Sequence, residues 1–284
     1  EVHRLARRSV EDYRIQQQPA EQGHVRDLRD IAPDALPQAL HELARHIDAD
    51  HNGYVDDISG WDFLYGDNDP LDTVNYGHGT GEAEDSNAAE NGTGNVGTCP
   101  KCSFLPVRVG DSFVADGQRF AAGVLFALDS HAAVVQEALG AISNPTAAQQ
   151  AIDAAYSRNV VVVASMADEA SKHPNLPAAL RHTMAVNSVT KLRSALGGPT
   201  QGYLALNGCT NYGGHTFVSV ESGACSSEAT GISSGVVGLI ESAARDRGLV
   251  LSAAEVMQIV RATADDVDFA TPDAVDPAND FGVS

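Results

Sequence analysis

The chain has 284 residues with 43% hydrophobic content, which is enough for one large domain with a substantial core. Its 38 acidic and 18 basic residues give a formal net charge of −20 at pH 7. This charge argues against nucleic acid as a partner, because phosphates are bound by Lys and Arg, and it favours cations. No apolar stretch is long enough to predict a transmembrane span.

The first third of the chain divides into two segments of different composition. Residues 1–47 are charged and poor in β-branched residues, with a short helix predicted at 36–46, and we treat them as an N-terminal extension of unclear role. Residues 48–96 are rich in Asp, Asn and Gly, which predicts long loops around a short helix. We expect a single domain to span residues 48–284.

Strands and helices alternate after Cys99. The continuous apolar run Val160–Val163 is typical of a strand buried on both faces, and Ser252-Ala-Ala-Glu255 is a capping box that opens a helix. This alternation predicts an α/β fold with a mainly parallel central sheet flanked by helices. Strands are predicted at 104–109, 132–140, 160–163, 183–189, 203–207 and 216–220, and helices at 118–128, 146–157, 228–247 and 252–264.

An acidic loop near residue 50 has the pattern of a calcium site. Side-chain oxygens recur at alternate positions before Gly53, which permits a sharp turn, and the next carbonyl adds a ligand. Ser59 stands where an EF-hand needs Glu, so this is not a full EF-hand. The alternative is a solvated acidic turn, but clustered carboxylates repel one another without a cation. The expected ligands are Asp48, Asp50, Asn52, Tyr54, Asp56 and Asp57.

Two further segments carry groups suited to acyl transfer. His78 lies among small residues at the start of a predicted helix, where it can act as a general base, although a lone His is more often structural. Ser226 and Ser227 lead into a long apolar helix, whose positive N-terminus favours developing negative charge. An ordinary helix N-cap is the alternative for these serines.

The cysteines are Cys99, Cys102, Cys209 and Cys225, an even number that fits two disulfides in an exported protein. A zinc site is the alternative, since Cys99 and Cys102 have the spacing of metal ligands. Cys209 and Cys225 lie far from each other in the sequence, and we therefore favour disulfides.

Together and in this order, the motifs resemble the subtilase family of serine peptidases over residues 48–264. In this resemblance His78 matches the catalytic His, and Ser227 matches the nucleophile of the family's Gly-Thr-Ser-x-Ala turn. It implies a subtilisin-like three-layer fold and a serine endopeptidase that holds a peptide or protein in its cleft. The motifs are Asp57-Ile-Ser-Gly-Trp-Asp-Phe63, His78-Gly-Thr80, Leu105–Val109, Val134–Gly140, Val160–Ala164, Asn211-Tyr-Gly213 and Ser226-Ser-Glu-Ala-Thr230.

The sequence departs from the family at positions that affect rate. Residues 1–47 hold no apolar strand with the family's catalytic Asp motif, and Asp168 stands near the place of the oxyanion Asn. Loss of the orienting carboxylate is worth orders of magnitude in rate, and loss of one oxyanion donor about a hundred- to a thousandfold. We hypothesise that Glu82, four residues after His78, orients the imidazole, and that a protonated Asp168 donates to the oxyanion.

The resemblance leaves two functions open. One is an exported serine endopeptidase that acts through a Ser227 acyl-enzyme. The other is a catalytically inactive pseudopeptidase, which serves as a calcium-stabilised binding or structural module. Both imply a secreted or extracytoplasmic location. The resemblance also implies disulfides between Cys99 and Cys102 and between Cys209 and Cys225, and a hydrophobic sheet edge where the catalytic Asp strand is missing.

Overall fold

The computed structural model describes residues 48, 52–55, 57–72, 77–141, 143–173, 175–191 and 204–265. The helix predicted at 36–46 lies outside these ranges and stays a prediction. The helices are α1 (His78–Asn87), α2 (Gly117–Asp129), α3 (Thr146–Ser157), α4 (Ser226–Arg245) and α5 (Ala253–Thr263). The strands are β1 (Trp61–Asp62), β2 (Val107–Arg108), β3 (Val114–Ala115), β4 (Val134–Glu137), β5 (Gly140–Ala141), β6 (Val161–Ser165), β7 (Thr183–Lys191), β8 (Leu204–Leu206) and β9 (Val218–Glu221).

A mainly parallel sheet forms the centre of the structure. Strands β4, β6, β7 and β9 run parallel, and β8 is antiparallel to β7. All five residues of β6 are buried, as the apolar run predicts. Val162 packs with α2 and α3, whereas Val161 and Val163 pack with α4 and α5, because successive side chains of a strand point to opposite faces. These helix–sheet–helix layers confirm the predicted three-layer α/β fold.

The observed bounds follow most of the predicted elements, with two differences. The strand predicted at 104–109 is reduced to β2, since Pro106 has no N–H for a ladder and Phe104 is exposed. The strand predicted at 132–140 is divided into β4 and β5. The capping box at the start of α5 is confirmed, because Ser252 and Glu255 each accept a hydrogen bond from the other's backbone N–H.

One edge of strand β4 has no paired strand among the described residues. In the described part of the chain, β4 pairs only with β6, and β2 pairs only with β1 in a separate two-stranded sheet. The expectation that a missing first strand leaves an exposed hydrophobic edge stays a prediction, because residues 1–47 lie outside the described ranges. A cavity of about 710 Å³ lies beside the start of β4 and β6, where Ala132, Val160 and Glu241 are among its lining residues.

A helix that crosses a bilayer must be long and apolar. None of the helices in the residue ranges given above meets this requirement.

Candidate active site

His78 is the first residue of α1. Gly77 precedes it with a φ of +73°, a left-handed conformation that glycine adopts readily. Asp72 caps the helix, since its Oδ2 accepts a hydrogen bond from Thr80 N–H at 3.0 Å. The ring of Phe113 contacts the imidazole edge-on, with the ring centroids 4.7 Å apart. The helix start and the phenyl ring together hold the imidazole in a partly buried position.

Glu82 lies one helical turn after His78, as the spacing of four residues predicts. Its Oε1 atom is 3.4 Å from His78 Nε2. Burial lowers the pKa of His78, and the nearby carboxylates of Asp72 and Asp168 oppose this change. The imidazole is therefore neutral near pH 7, which is the form that accepts a proton.

Glu82 belongs to a group of acidic side chains between α1 and the start of α4. Burial raises the pKa of Glu82 to about 8, and Asp85, Glu228 and Asp168 contribute to the rise. The pKa of Asp85 is raised to about 6, by burial and by Glu228. Glu82 therefore carries a proton near neutral pH and becomes an orienting carboxylate only in alkaline solution.

The two serines at the start of α4 differ in accessibility. Ser226 is fully buried, with its Oγ 2.7 Å from Ser165 Oγ and donating to Asp168 Oδ1 at 2.6 Å. Ser227 is only partly buried, and its hydroxyl has no hydrogen bond with the residues that the structure describes. Ser226 thus anchors the turn, and Ser227 is the serine that a reagent can reach.

Close packing of α4 on α1 brings the candidate base and nucleophile to the same end of the fold. A Cβ at Gly231 would lie 2.8 Å from Glu82 O, and one at Gly235 would lie 3.2 Å from Ser86 O. These contacts advance in the same direction along both helices, so the two N-termini lie side by side. Only glycine at these positions permits the approach without displacing backbone.

Asp168 holds the N-terminus of α4 as a hydrogen-bond acceptor. Its Oδ1 accepts from Ser226 N–H at 2.9 Å and from the Ser226 hydroxyl at 2.6 Å. A carboxylate in this place complements the positive end of the helix dipole. The hypothesis that Asp168 donates to an oxyanion therefore requires a proton on Oδ2, the oxygen that is not engaged by Ser226.

Both predicted disulfides are present. Cys99 is bonded to Cys102 and Cys209 to Cys225, so no cysteine is free, which favours disulfides over the zinc alternative. Cys225 is the N-cap residue of α4. The second disulfide therefore fixes the start of the helix that carries Ser227.

The acidic loop is described only in part. Asp48 accepts hydrogen bonds from the N–H groups of Asn52 at 3.0 Å and Gly53 at 2.8 Å, and Gly53 has a φ of +95°. The sharp turn expected of a calcium loop is therefore present. Two expected ligands, Asp50 and Asp56, lie outside the described residues, and the described ones form no group of three His, Cys, Asp or Glu side chains placed to hold a metal. Calcium binding stays a prediction.

Sequence reasoning missed three residues that shape this site. Asp72 caps α1, Phe113 covers the imidazole, and Gln136 ties β4 to α1 by donating from Nε2 to Glu82 O at 2.7 Å. Asp72 and Phe113 lie in none of the motifs, and Gln136 lies in the Val134–Gly140 motif, which assigns it no chemical role. Their roles depend on contacts between segments that are distant in sequence, and no local signal points to them.

Comparisons with known proteins give one consistent result. The model described as the Subtilase family matches residues 38–282. Thermitase from Thermoactinomyces vulgaris is 33% identical over 215 residues, which cover 74% of this chain and 74% of thermitase. Subtilisin DY from Bacillus licheniformis is 31% identical over 115 residues, which cover 40% of this chain and 41% of that protein.

Solved structures agree at the level of the fold. Fervidolysin from Fervidobacterium pennivorans, described as a keratinolytic enzyme related to subtilisin, superposes with a TM-score of 0.56 at 18% identity. The match covers 68% of this chain and 33% of fervidolysin. Sphericase superposes with a TM-score of 0.54 at 19% identity, covering 64% of this chain and 67% of its own.

Proposed function

Because the chain belongs to the subtilase family, we propose that it is a serine endopeptidase domain with Ser227 as nucleophile and His78 as general base. Ser227 Oγ attacks the carbonyl carbon of the scissile peptide bond, and the imidazole takes the hydroxyl proton. His78 gives that proton to the leaving amine as the C–N bond breaks. Water then hydrolyses the acyl-enzyme by the same route, which releases the acid and restores the serine.

The observation that carries this proposal is the packing of α4 on α1. The contact at Gly231 sets the start of α4 beside the start of α1, so an accessible serine and a neutral histidine share one end of the fold. Ser226 supports the assignment, because its burial and its bond to Asp168 fix the turn and leave Ser227 as the reachable hydroxyl.

Glu82 gives the proposed mechanism a pH dependence. An ionised carboxylate beside the imidazole stabilises the imidazolium that forms during attack, whereas a protonated one does so weakly. Since the pKa of Glu82 is raised to about 8, we expect hydrolysis to increase from neutral pH to above pH 8. His78 is then already neutral, so both groups are in their useful forms.

A pseudopeptidase is the second candidate, and Asp168 favours it. A carboxylate that accepts two hydrogen bonds from Ser226 sits where the family resemblance places an oxyanion donor. Negative charge there repels a developing oxyanion instead of stabilising it. In this alternative the cleft binds a peptide or protein partner without cleaving it.

We also propose that calcium stabilises the domain through Asp48, Asp50, Asn52, Tyr54, Asp56 and Asp57. The donor set consists of hard oxygen ligands around a turn at Gly53, which suits calcium. Bound calcium would offset the repulsion among these carboxylates and hold the loop in one conformation. The two disulfides support a secreted or extracytoplasmic location, where they persist.

Hydrolysis of an unfolded protein substrate between pH 5 and 10 tests the function. We expect new peptide N-termini from the wild type and at least a thousandfold less from Ser227→Ala and His78→Ala. Ser242→Ala, at an exposed serine on α4, is the matched control and should retain full activity. A folded wild type that releases no peptide at any pH would refute the peptidase and leave the pseudopeptidase.

A further inference from the structure

Glu137 is a buried carboxyl group that the proposed chemistry does not use. It is the last residue of β4 and is 4% exposed. Its Oε1 accepts a hydrogen bond from Leu139 N–H at 2.7 Å, whereas Oε2 is buried and has no partner among the described residues. Burying a polar atom without a partner is costly, so a carboxyl group at this position calls for a reason beyond packing.

The segment that Glu137 holds leads directly to the candidate base. Leu139 is followed by β5, where Gly140 N–H donates to Phe113 C=O at 2.7 Å and β5 pairs with β3. The Phe113 ring in turn contacts the His78 ring edge-on, at 4.7 Å between centroids. Two short contacts therefore separate the turn fixed by Glu137 from the imidazole.

Gln136, the residue before Glu137, contacts α1, the helix that carries His78. Gln136 donates from Nε2 to Glu82 O at 2.7 Å, one turn after His78. The end of β4 thus makes two contacts with this site. The Gln136 side chain fixes the backbone of α1. The Glu137 side chain fixes the turn that holds the Phe113 ring against His78. A purely apolar side chain at position 137 would fill the space but would leave Leu139 N–H without an acceptor.

We propose that Glu137 is a positioning residue for His78, which sets the Leu139–Gly140 turn and thereby holds Phe113 over the imidazole. The proposal rests on the proposed function only in naming His78 as the base. Burial raises the pKa of Glu137 well above its usual value, which favours the neutral form of this acceptor. A glutamine, which has the same acceptor and no charge, can therefore replace it.

The consequence is measurable on the histidine itself. Phe113 helps to bury the imidazole, and burial is the main cause of the lowered pKa of His78. Loss of the Leu139 anchor lets Phe113 move away and water reach the ring, which raises the pKa. Among the residues that the structure describes, charged or titratable groups facing His78 include Asp72, Glu82 and Asp168, and all three are unchanged in the variants.

The experiment is an NMR titration of the His78 ring, assigned by the signal that disappears in His78→Asn. We expect Glu137→Gln to leave the pKa of His78 unchanged and Glu137→Met to raise it by about half a unit or more. Glu241→Met is the matched control, because Glu241 is also a buried carboxyl with an unpartnered oxygen but lines the cavity away from this site. Glu241→Met should change the free energy of unfolding and leave the pKa of His78 unchanged.

A second variant keeps the test decisive if Glu137→Met does not fold. Phe113→Ala removes the last contact in the series at a residue that is 43% exposed, and it should raise the pKa of His78 by a similar amount. The proposal is overturned if Phe113→Ala leaves that pKa unchanged, or if Glu137→Gln or Glu241→Met shifts it as much as Glu137→Met does. The titration needs no catalytic activity, so an inactive protein refutes the proposed function without touching this inference.

Discussion

Replacing Glu82 by Gln should make the domain markedly less sensitive to alkaline pH. Burial and neighbouring carboxylates raise the pKa of Glu82 from 4.5 to about 8 in the folded protein. Between these values the unfolded chain has lost the proton and the folded chain keeps it, so stability falls as pH rises. One pKa unit corresponds to about 1.4 kcal/mol, so the loss of unfolding free energy due to Glu82 is at most roughly 5 kcal/mol. Because coupled carboxyls share the shift, we expect a loss of about 2–4 kcal/mol.

Urea unfolding followed by circular dichroism at pH 5 and pH 8.5 measures this effect. The free energy of unfolding of the wild type should fall between the two pH values by about 2–4 kcal/mol more than that of Glu82→Gln. Buried carboxyls that are not coupled to Glu82, such as Glu137, are present in both proteins and cancel in the comparison. Glu90→Gln, at an exposed position after α1, should show the wild-type pH dependence. Equal pH dependence in the wild type and Glu82→Gln would refute the account of a protonated, buried Glu82.

Three further predictions follow from the contacts around α4 and the acidic loop. Gly231→Ala places a Cβ 2.8 Å from Glu82 O, so it should lower the free energy of unfolding by about 1–3 kcal/mol and reduce hydrolysis. Gly214→Ala is the control, because a Cβ there meets open space and should change neither quantity. Equal effects of the two variants in thermal melts and peptide assays would contradict this prediction. Asp168→Asn keeps an acceptor for Ser226 and adds an amide donor, so it should raise kcat about ten- to a thousandfold. An unchanged or lower kcat would exclude a role of this position in oxyanion binding. Calcium added to chelator-treated protein should raise Tm, and Asp48→Asn should weaken that response; a Tm indifferent to calcium would remove the proposed site.

Local sequence patterns predicted much of this fold because they encode local physical requirements. The apolar run around Val162 predicts a strand covered on both faces, and it is buried throughout. The Ser252 capping box predicts a helix start, and both hydrogen bonds are formed. The spacing of His78 and Glu82 predicts a shared helix face, and their side chains meet at 3.4 Å.

What the sequence did not predict depends on contacts between distant segments. The spacing of Glu82 suggests an orienting carboxylate, but its protonation depends first on burial and then on Asp85 and Glu228, which the fold brings near. The role of Asp168 as an acceptor for Ser226 depends on how the loop after β6 meets the start of α4. The burial of Glu137 depends on neighbours from other strands, and a single sequence does not reveal them.

The most direct test of the central claim is the labelling of Ser227 by a fluorophosphonate probe, read as an intact-mass increase and located by peptide mapping. We expect one adduct per chain on Ser227, faster labelling above pH 8 than at pH 6 as Glu82 ionises, and no adduct in Ser227→Ala. An adduct on another residue, or no adduct on a cooperatively folded protein at any pH, would contradict the claim that the paired starts of α1 and α4 form a working nucleophile and base.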